Sequence, residues 1–198
     1  MDFLGEIDYV EAAAVVTGFF CVLLYVRQNI WSWPTGLVSA ALFIIVFFHA
    51  RLYADMGLQG VYVVLSAYGW YQWLYGGPEH GALKVSRLTR PVALVLGSIV
   101  VVGTTGMAWS LATYTDADLP FWDSLTTVMS LVAQWMIAKK ILENWLVWIT
   151  ADVLYIGIFL YKGLYLTSGL YVLFLILATT GFFAWRTSMR AESATVPV

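Results

Sequence analysis

The chain has 198 residues, 61% of them apolar and 11% charged, against roughly 45–50% and about 25% in ordinary soluble domains. A soluble fold of this size could not hide so much apolar surface, so the composition points to lipid as the solvent. The net charge of -2 argues against a nucleic-acid partner, and one cysteine (Cys21) with two histidines (His49, His80) excludes an intramolecular disulfide and a Cys/His metal cluster.

The N-terminus is acidic (Asp2, Glu6, Asp8), so no cleavable signal peptide is expected. Seven apolar runs follow, each about the 20 residues that cross a hydrocarbon core. Helix 1 is expected at 10–27, with Cys21 as a small packing residue, helix 2 at 31–49 and helix 3 at 53–74. A polar stretch runs from Gly76 to Arg90. Helix 4 follows at 91–113, opened by Pro91, and helix 5 at 120–138, opened by Pro120. Helix 6 is expected at 144–161 and helix 7 at 164–186. The last dozen residues read as a disordered polar tail. The fold class is therefore an all-α integral membrane protein of seven transmembrane helices.

The loops sort into two faces. Arg51 and Lys162 lie on one. Arg27, Lys84, Arg87, Arg90, Lys139, Lys140, Arg186 and Arg190 lie on the other. The positive-inside rule then sets the N-terminus outside and the C-terminus in the cytoplasm.

The chain also repeats itself. At an offset of 112 positions, Trp33 meets Trp145, Leu52-Tyr53 meets Leu164-Tyr165, Gly57-Leu58 meets Gly169-Leu170, Gly69 meets Gly181 and Trp73 meets Trp185. Positions 33–73 carry 11 identities over 41 without a gap. Apolar bias inflates matches of Leu and Ile, but not paired Gly and Trp at constant offset. The expected organisation is a first three-helix repeat (1–75), a linker with helix 4 (76–118), a second repeat (119–186) and a cytoplasmic tail (187–198). Repeats separated by one extra span run in the same direction, and parallel repeats of this kind carry transporter substrate sites near mid-membrane.

Differences between the repeats point to function. In helix 6, Trp145, Trp148, Asp152 and Tyr155 stand at i, i+3, i+7 and i+10, on one face. Their partners in helix 2 are Trp33, Gly36, Ala40 and Phe43. Asp152 lies about 13 Å into the span at 1.5 Å per residue. A charge at that depth costs at least about 2.5–3.5 kcal/mol. No lysine or arginine matches its depth in the sequence, so substrate contact is a better account than a permanent ion pair. Trp145 reads equally as an interfacial belt residue or a site residue. Trp148, a turn deeper, favours the site. Gln134 and Gln59 are buried amides that either bind substrate or join helices. Thr126, Thr127 and Ser130 read as helix-backbone hydrogen bonders. Aromatic faces with one carboxylate suit a flat, cationic heterocycle. A phosphorylated ligand would need Arg or Lys in the pocket, and all ten basic residues lie near span ends or in loops.

The run Tyr68-Gly69-Trp70-Tyr71-Gln72-Trp73, the pattern Trp145-x-x-Trp148-x-x-x-Asp152, and Tyr161-Lys162-Gly163-Leu164-Tyr165-Leu166-Thr167 together resemble the PnuC family of vitamin transporters. The likeness runs from helix 1 to Trp185. It implies facilitated diffusion of nicotinamide riboside across the bacterial inner membrane, with trapping by a cytoplasmic kinase. It also implies a 3+1+3 fold akin to the SWEET sugar transporters, a homotrimer, and a substrate site lined by the tryptophan motif with Asn or Asp at position 152. Thiamine and riboflavin are carried by relatives and stay open as substrates. A SWEET-type sugar carrier is the rival outside the family. An enzyme finds no support, because the sequence has no nucleotide motif and no nucleophile–base pair at depth. A retinal photoreceptor would need a lysine within a late span, and helix 7 has none. No cofactor is expected, and the partners are the vitamin substrate, membrane lipid and further copies of the chain.

Overall fold

The structure, a computed structural model, describes residues 3–49 and 53–194. The described residues form seven α-helices: α1 (Phe3–Val26), α2 (Ser32–His49), α3 (Tyr53–Tyr75), α4 (Arg90–Tyr114), α5 (Pro120–Ala138), α6 (Asn144–Tyr161) and α7 (Tyr165–Ala194). A single 3-10 turn, Pro78–His80, follows α3. The expected spans agree to within a residue or two for α2 to α6. Two ends differ. Helix α1 begins at Phe3, seven residues before the expected start at position 10. Helix α7 runs on to Ala194, so residues 187–194 are helix and not disordered tail. Their polarity allows this. Arg190, Ala191 and Glu192 are good helix formers, and the Thr187 hydroxyl donates back to the Phe183 carbonyl at 2.9 Å. Residues 195–198 lie outside the described part.

Five helices are long and apolar enough to cross a membrane: α1, α2, α4, α6 and α7. Helices α3 and α5 fall short because they carry polar side chains. For α5 the reason is its place. Ser124, Thr126, Ser130 and Gln134 are all buried in it, so its polar groups face protein and not lipid.

The chain divides into two compact units, residues 1–84 and 85–198. In the first, α2 packs against both α1 and α3. In the second, α4 packs on α5, α5 on α6, and α6 on α7.

The turns that end α1 and α5 are built alike. Gln28 (φ 52°) and Lys140 (φ 48°), 112 positions apart, both take the left-handed conformation. The Asn29 amide donates to the Leu24 carbonyl and the Gln28 amide to that of Tyr25. Ile141 and Lys140 repeat these bonds to Met136 and Ile137. This is the Schellman pattern, in which one left-handed residue lets the next amides cap the last free carbonyls. Gly163 (φ 72°) closes α6 in the same way, with Leu164 N–H bonded to Phe159 O at 2.8 Å.

Candidate functional site

Helix α6 carries the stripe. Asp152 is its ninth residue and is 4% exposed. Among the described residues, no hydrogen bond or ion pair reaches its carboxylate. A buried carboxylate without a partner is costly to the fold, and groups of this kind cluster at binding sites. Tyr155, one turn further on, is half-buried. Its ring tilts against Tyr171 of α7, with centroids 4.6 Å apart, and stacks over Phe159 at 5.9 Å. Trp148 is half-buried on the same stripe. Gln134 of α5, 8% exposed, belongs to the helix packed against α6. The second unit thus holds Trp145, Trp148, Asp152, Tyr155 and Gln134. Trp33 and the half-buried Gln59 belong to the first unit.

Trp145 has a different setting from Trp148. It is 1% exposed, edge-on to Trp185, and its ring covers Gly181. Trp33 has the matching setting in the first unit, between Trp73 and Tyr25 and over Gly69. Among the described residues neither indole N–H has a hydrogen-bond partner. In these packed positions the rings join helices within their own unit.

Crowding keeps a tryptophan out of the matched position in the first repeat. The counterpart of Trp148, Gly36, lies against Cys21, Tyr25 and Ser66, and a Cβ there would meet the Cys21 sulfur at 3.0 Å. The residues matched to those three in the second unit are Ala133, Ile137 and Ala178, all buried.

Tyr171 and Glu143 carry geometry that the sequence reading did not assign to them. Tyr171 stands at the position matched to Gln59 in the repeat. Glu143 faces Trp31 across the repeat, and that acid-for-aromatic exchange was a signal that could have singled it out. Among the described residues no group of three His, Cys, Asp or Glu side chains could hold a metal. The α6 stripe therefore sets one buried carboxylate, unpaired among the described residues, on the same helix face as Trp148 and Tyr155.

An apolar helical chain with several helices able to cross a membrane, a repeated helix-ending turn and a carboxylate buried along one of those helices has the build of a membrane transporter. The family is that of the nicotinamide mononucleotide transporters. Its profile matches residues 8–187, and the chain belongs to it. The nicotinamide riboside transporter PnuC of Escherichia coli strain K12 is 29% identical, covering 96% of this chain and 90% of that protein. The riboflavin/roseoflavin transporter RibM of Streptomyces davaonensis is 26% identical over 91% of this chain and 86% of its own. A crystal structure of the vitamin B3 transporter PnuC superposes with a TM-score of 0.71 at 27% identity, covering 92% of this chain and 83% of that one. These relatives are transporters, and the chain is a transporter and not an enzyme.

Proposed function

We propose that the chain carries unphosphorylated nicotinamide riboside across the bacterial inner membrane by facilitated diffusion, with phosphorylation in the cytoplasm trapping the product. The observation that carries this reading is Asp152, a buried carboxylate that no described residue pairs. A pyridinium riboside offers a positive ring for Asp152 and for the faces of Trp148 and Tyr155, and hydroxyls that the Gln134 amide can bond. Trp145, on the same helix as Trp148 and Asp152, belongs to the proposed site as its packed end.

The family's description names a mononucleotide, whereas the E. coli relative is named for the riboside. Charge favours the riboside here. A phosphate calls for Arg or Lys at the site. Among the described residues the Lys and Arg side chains lie in loops, at helix starts or in the last turns of α7, and none forms an ion pair with Asp152. The RibM likeness supports riboflavin as the second reading. The full proposal has the N-terminus outside, the C-terminus in the cytoplasm, two parallel three-helix repeats of the SWEET type around linker helix α4, and a homotrimer.

A thermal-shift screen of the purified protein against nicotinamide riboside, nicotinamide mononucleotide, thiamine and riboflavin tests the substrate. A ligand bound only by the folded state raises the melting temperature, by about 2.7 kcal/mol of apparent stability at a hundred times its Kd. A shift with the riboside and none with the mononucleotide is the expected result. A shift with riboflavin alone would replace the reading. A proton gradient that drives uphill accumulation in proteoliposomes would overturn facilitated diffusion.

A further inference from the structure

The linker between α3 and α4 is tied to the turn between α5 and α6. Ser86 makes two backbone bonds to that turn. Its N–H donates to Lys140 O at 3.0 Å and its carbonyl accepts from Leu142 N–H at 2.9 Å, forming an isolated parallel bridge with Ile141. Glu143 adds two more contacts. One carboxylate oxygen accepts the Leu88 amide at 2.8 Å, and the other lies 2.9 Å from Nε of Arg87. Glu143 immediately precedes α6, which carries Trp148 and Asp152.

The turn does not need these ties in order to form. The α1–α2 turn has the same left-handed residue and the same capping bonds, yet the residue matched to Glu143 is Trp31, 65% exposed. So Glu143 contributes something beyond building its own turn. The Arg87 half of the contact is a weak one, because that side chain is 64% exposed and ion pairs open to water contribute little. Contacts of this strength can break and re-form within a turnover, as closures of carrier sites must.

We propose that Glu143 is a positioning residue and that its clasp on Arg87 and the Leu88 amide is a closure at the start of α6, which opens each time substrate leaves on that face. The inference rests on reading the chain as a carrier.

Two measurements test it. Across a bridge, facing backbones stand about 5 Å apart, inside the 4.4–6.8 Å Cα range of disulfides. In a Cys21→Ser background, Ser86→Cys with Ile141→Cys should therefore lock the clasp when oxidised. The expected result is uptake reduced at least tenfold in proteoliposomes and restored by reductant, with the substrate-induced thermal shift retained. Uptake at the parent rate in the locked protein would overturn the proposal. The second measurement uses no substrate. A cysteine at Leu88 should react with a thiol reagent at least tenfold faster when Glu143→Ala or Arg87→Ala is added, and by a smaller factor with Glu143→Gln, which keeps an acceptor for the amide. Unchanged reactivity would likewise overturn it. Because labelling needs no ligand, a protein that binds no nicotinamide riboside but shows the labelling change would refute the proposed substrate and leave the clasp standing.

Discussion

The indole of Trp145 stands edge-on to that of Trp185, with ring centroids 5.4 Å apart and planes at 90°. The pair Trp33 and Trp73 repeats this at 5.4 Å and 87°. In each case the first ring lies on a glycine. A Cβ at Gly181 would come within 2.6 Å of two Trp145 ring carbons, and one at Gly69 would overlap the Trp33 ring outright. The repeated Gly and Trp of the sequence are thus one packing unit, used twice. Gly181→Val and Gly69→Val should each destabilise the protein, by at least about 1–3 kcal/mol, the usual cost of overpacking. Thermal unfolding in detergent measures this. Parent-like melting of both would mean that the rings have room to move.

The contrast between Trp145 and Trp148 gives a second prediction. Truncating a packed tryptophan costs about 3–5 kcal/mol, so Trp145→Ala and Trp33→Ala should melt markedly lower than the parent. Trp148, half-buried on the open stripe, should behave in the opposite way. Trp148→Ala should keep nearly the parental melting temperature and lose at least tenfold in affinity for nicotinamide riboside. Trp33→Ala should lose less affinity than Trp148→Ala. Calorimetric titration read beside the melting curves checks both. An equal affinity loss from Trp33→Ala and Trp148→Ala would cancel the asymmetry between the halves.

Left-handed backbone at a residue with a Cβ costs roughly 1–2 kcal/mol, least for Asn and Asp and most for β-branched side chains. Gln28 holds that conformation at φ 52°. Gln28→Val should therefore lower stability by about 1 kcal/mol. Gln28→Gly should match or exceed the parent, since relief of strain offsets the extra freedom of the unfolded chain. The order Gly, Gln, Val in melting temperature is the expected result, and a reversed order would mean that the side chain at this turn does more than strain it.

Much of this was legible in the sequence, for physical reasons. Lipid imposes long apolar runs, so the borders of α2 to α6 followed from where polarity returns. The repeat was visible because Gly and Trp recur as pairs at one constant offset, and the packing of each Trp ring on its Gly tolerates no exchange. The setting of Trp145 was not legible. Its ring is enclosed by Trp185 and Gly181, contacts that only the folded unit creates. The helical end of α7 was missed because polarity marks the limit of the membrane and not the limit of a helix. The Glu143 clasp was hidden because its partners, Arg87 and Leu88, lie 55 or more residues away in a linker without periodicity.

Orientation follows from charge. With eight basic residues on one face and two on the other, the 76–90 linker and the end of α7 should be cytoplasmic. In a Cys21→Ser background, cysteines at Ala82 and Ala191 should resist an impermeant thiol reagent in intact cells and react after permeabilisation. A cysteine at Asp116 should react in both. Labelling of Ala82→Cys and Ala191→Cys in intact cells would invert the topology.

The last prediction concerns the charge of Asp152. If the solute is a cation, this carboxylate supplies more than a hydrogen bond. Asp152→Asn keeps the shape and one acceptor but removes the charge. Loss of a charge-assisted partner should cost about 1.5–3 kcal/mol, which is roughly tenfold to a hundredfold in affinity at 1.4 kcal/mol per decade. A neutral analogue without the ring charge should lose much less on the same substitution. The comparison forms a double-mutant cycle in which the ligand is one partner, so the part of the loss that belongs to charge pairing is read directly. Stability adds an independent check. No described residue pairs with Asp152, so the substitution removes no contact from the fold, and Asp152→Asn should melt no lower than the parent. If Asp152→Asn binds the cation as well as the parent does, position 152 acts through hydrogen bonds alone. Recognition then passes to the ribose hydroxyls, which an amide serves as well as an acid.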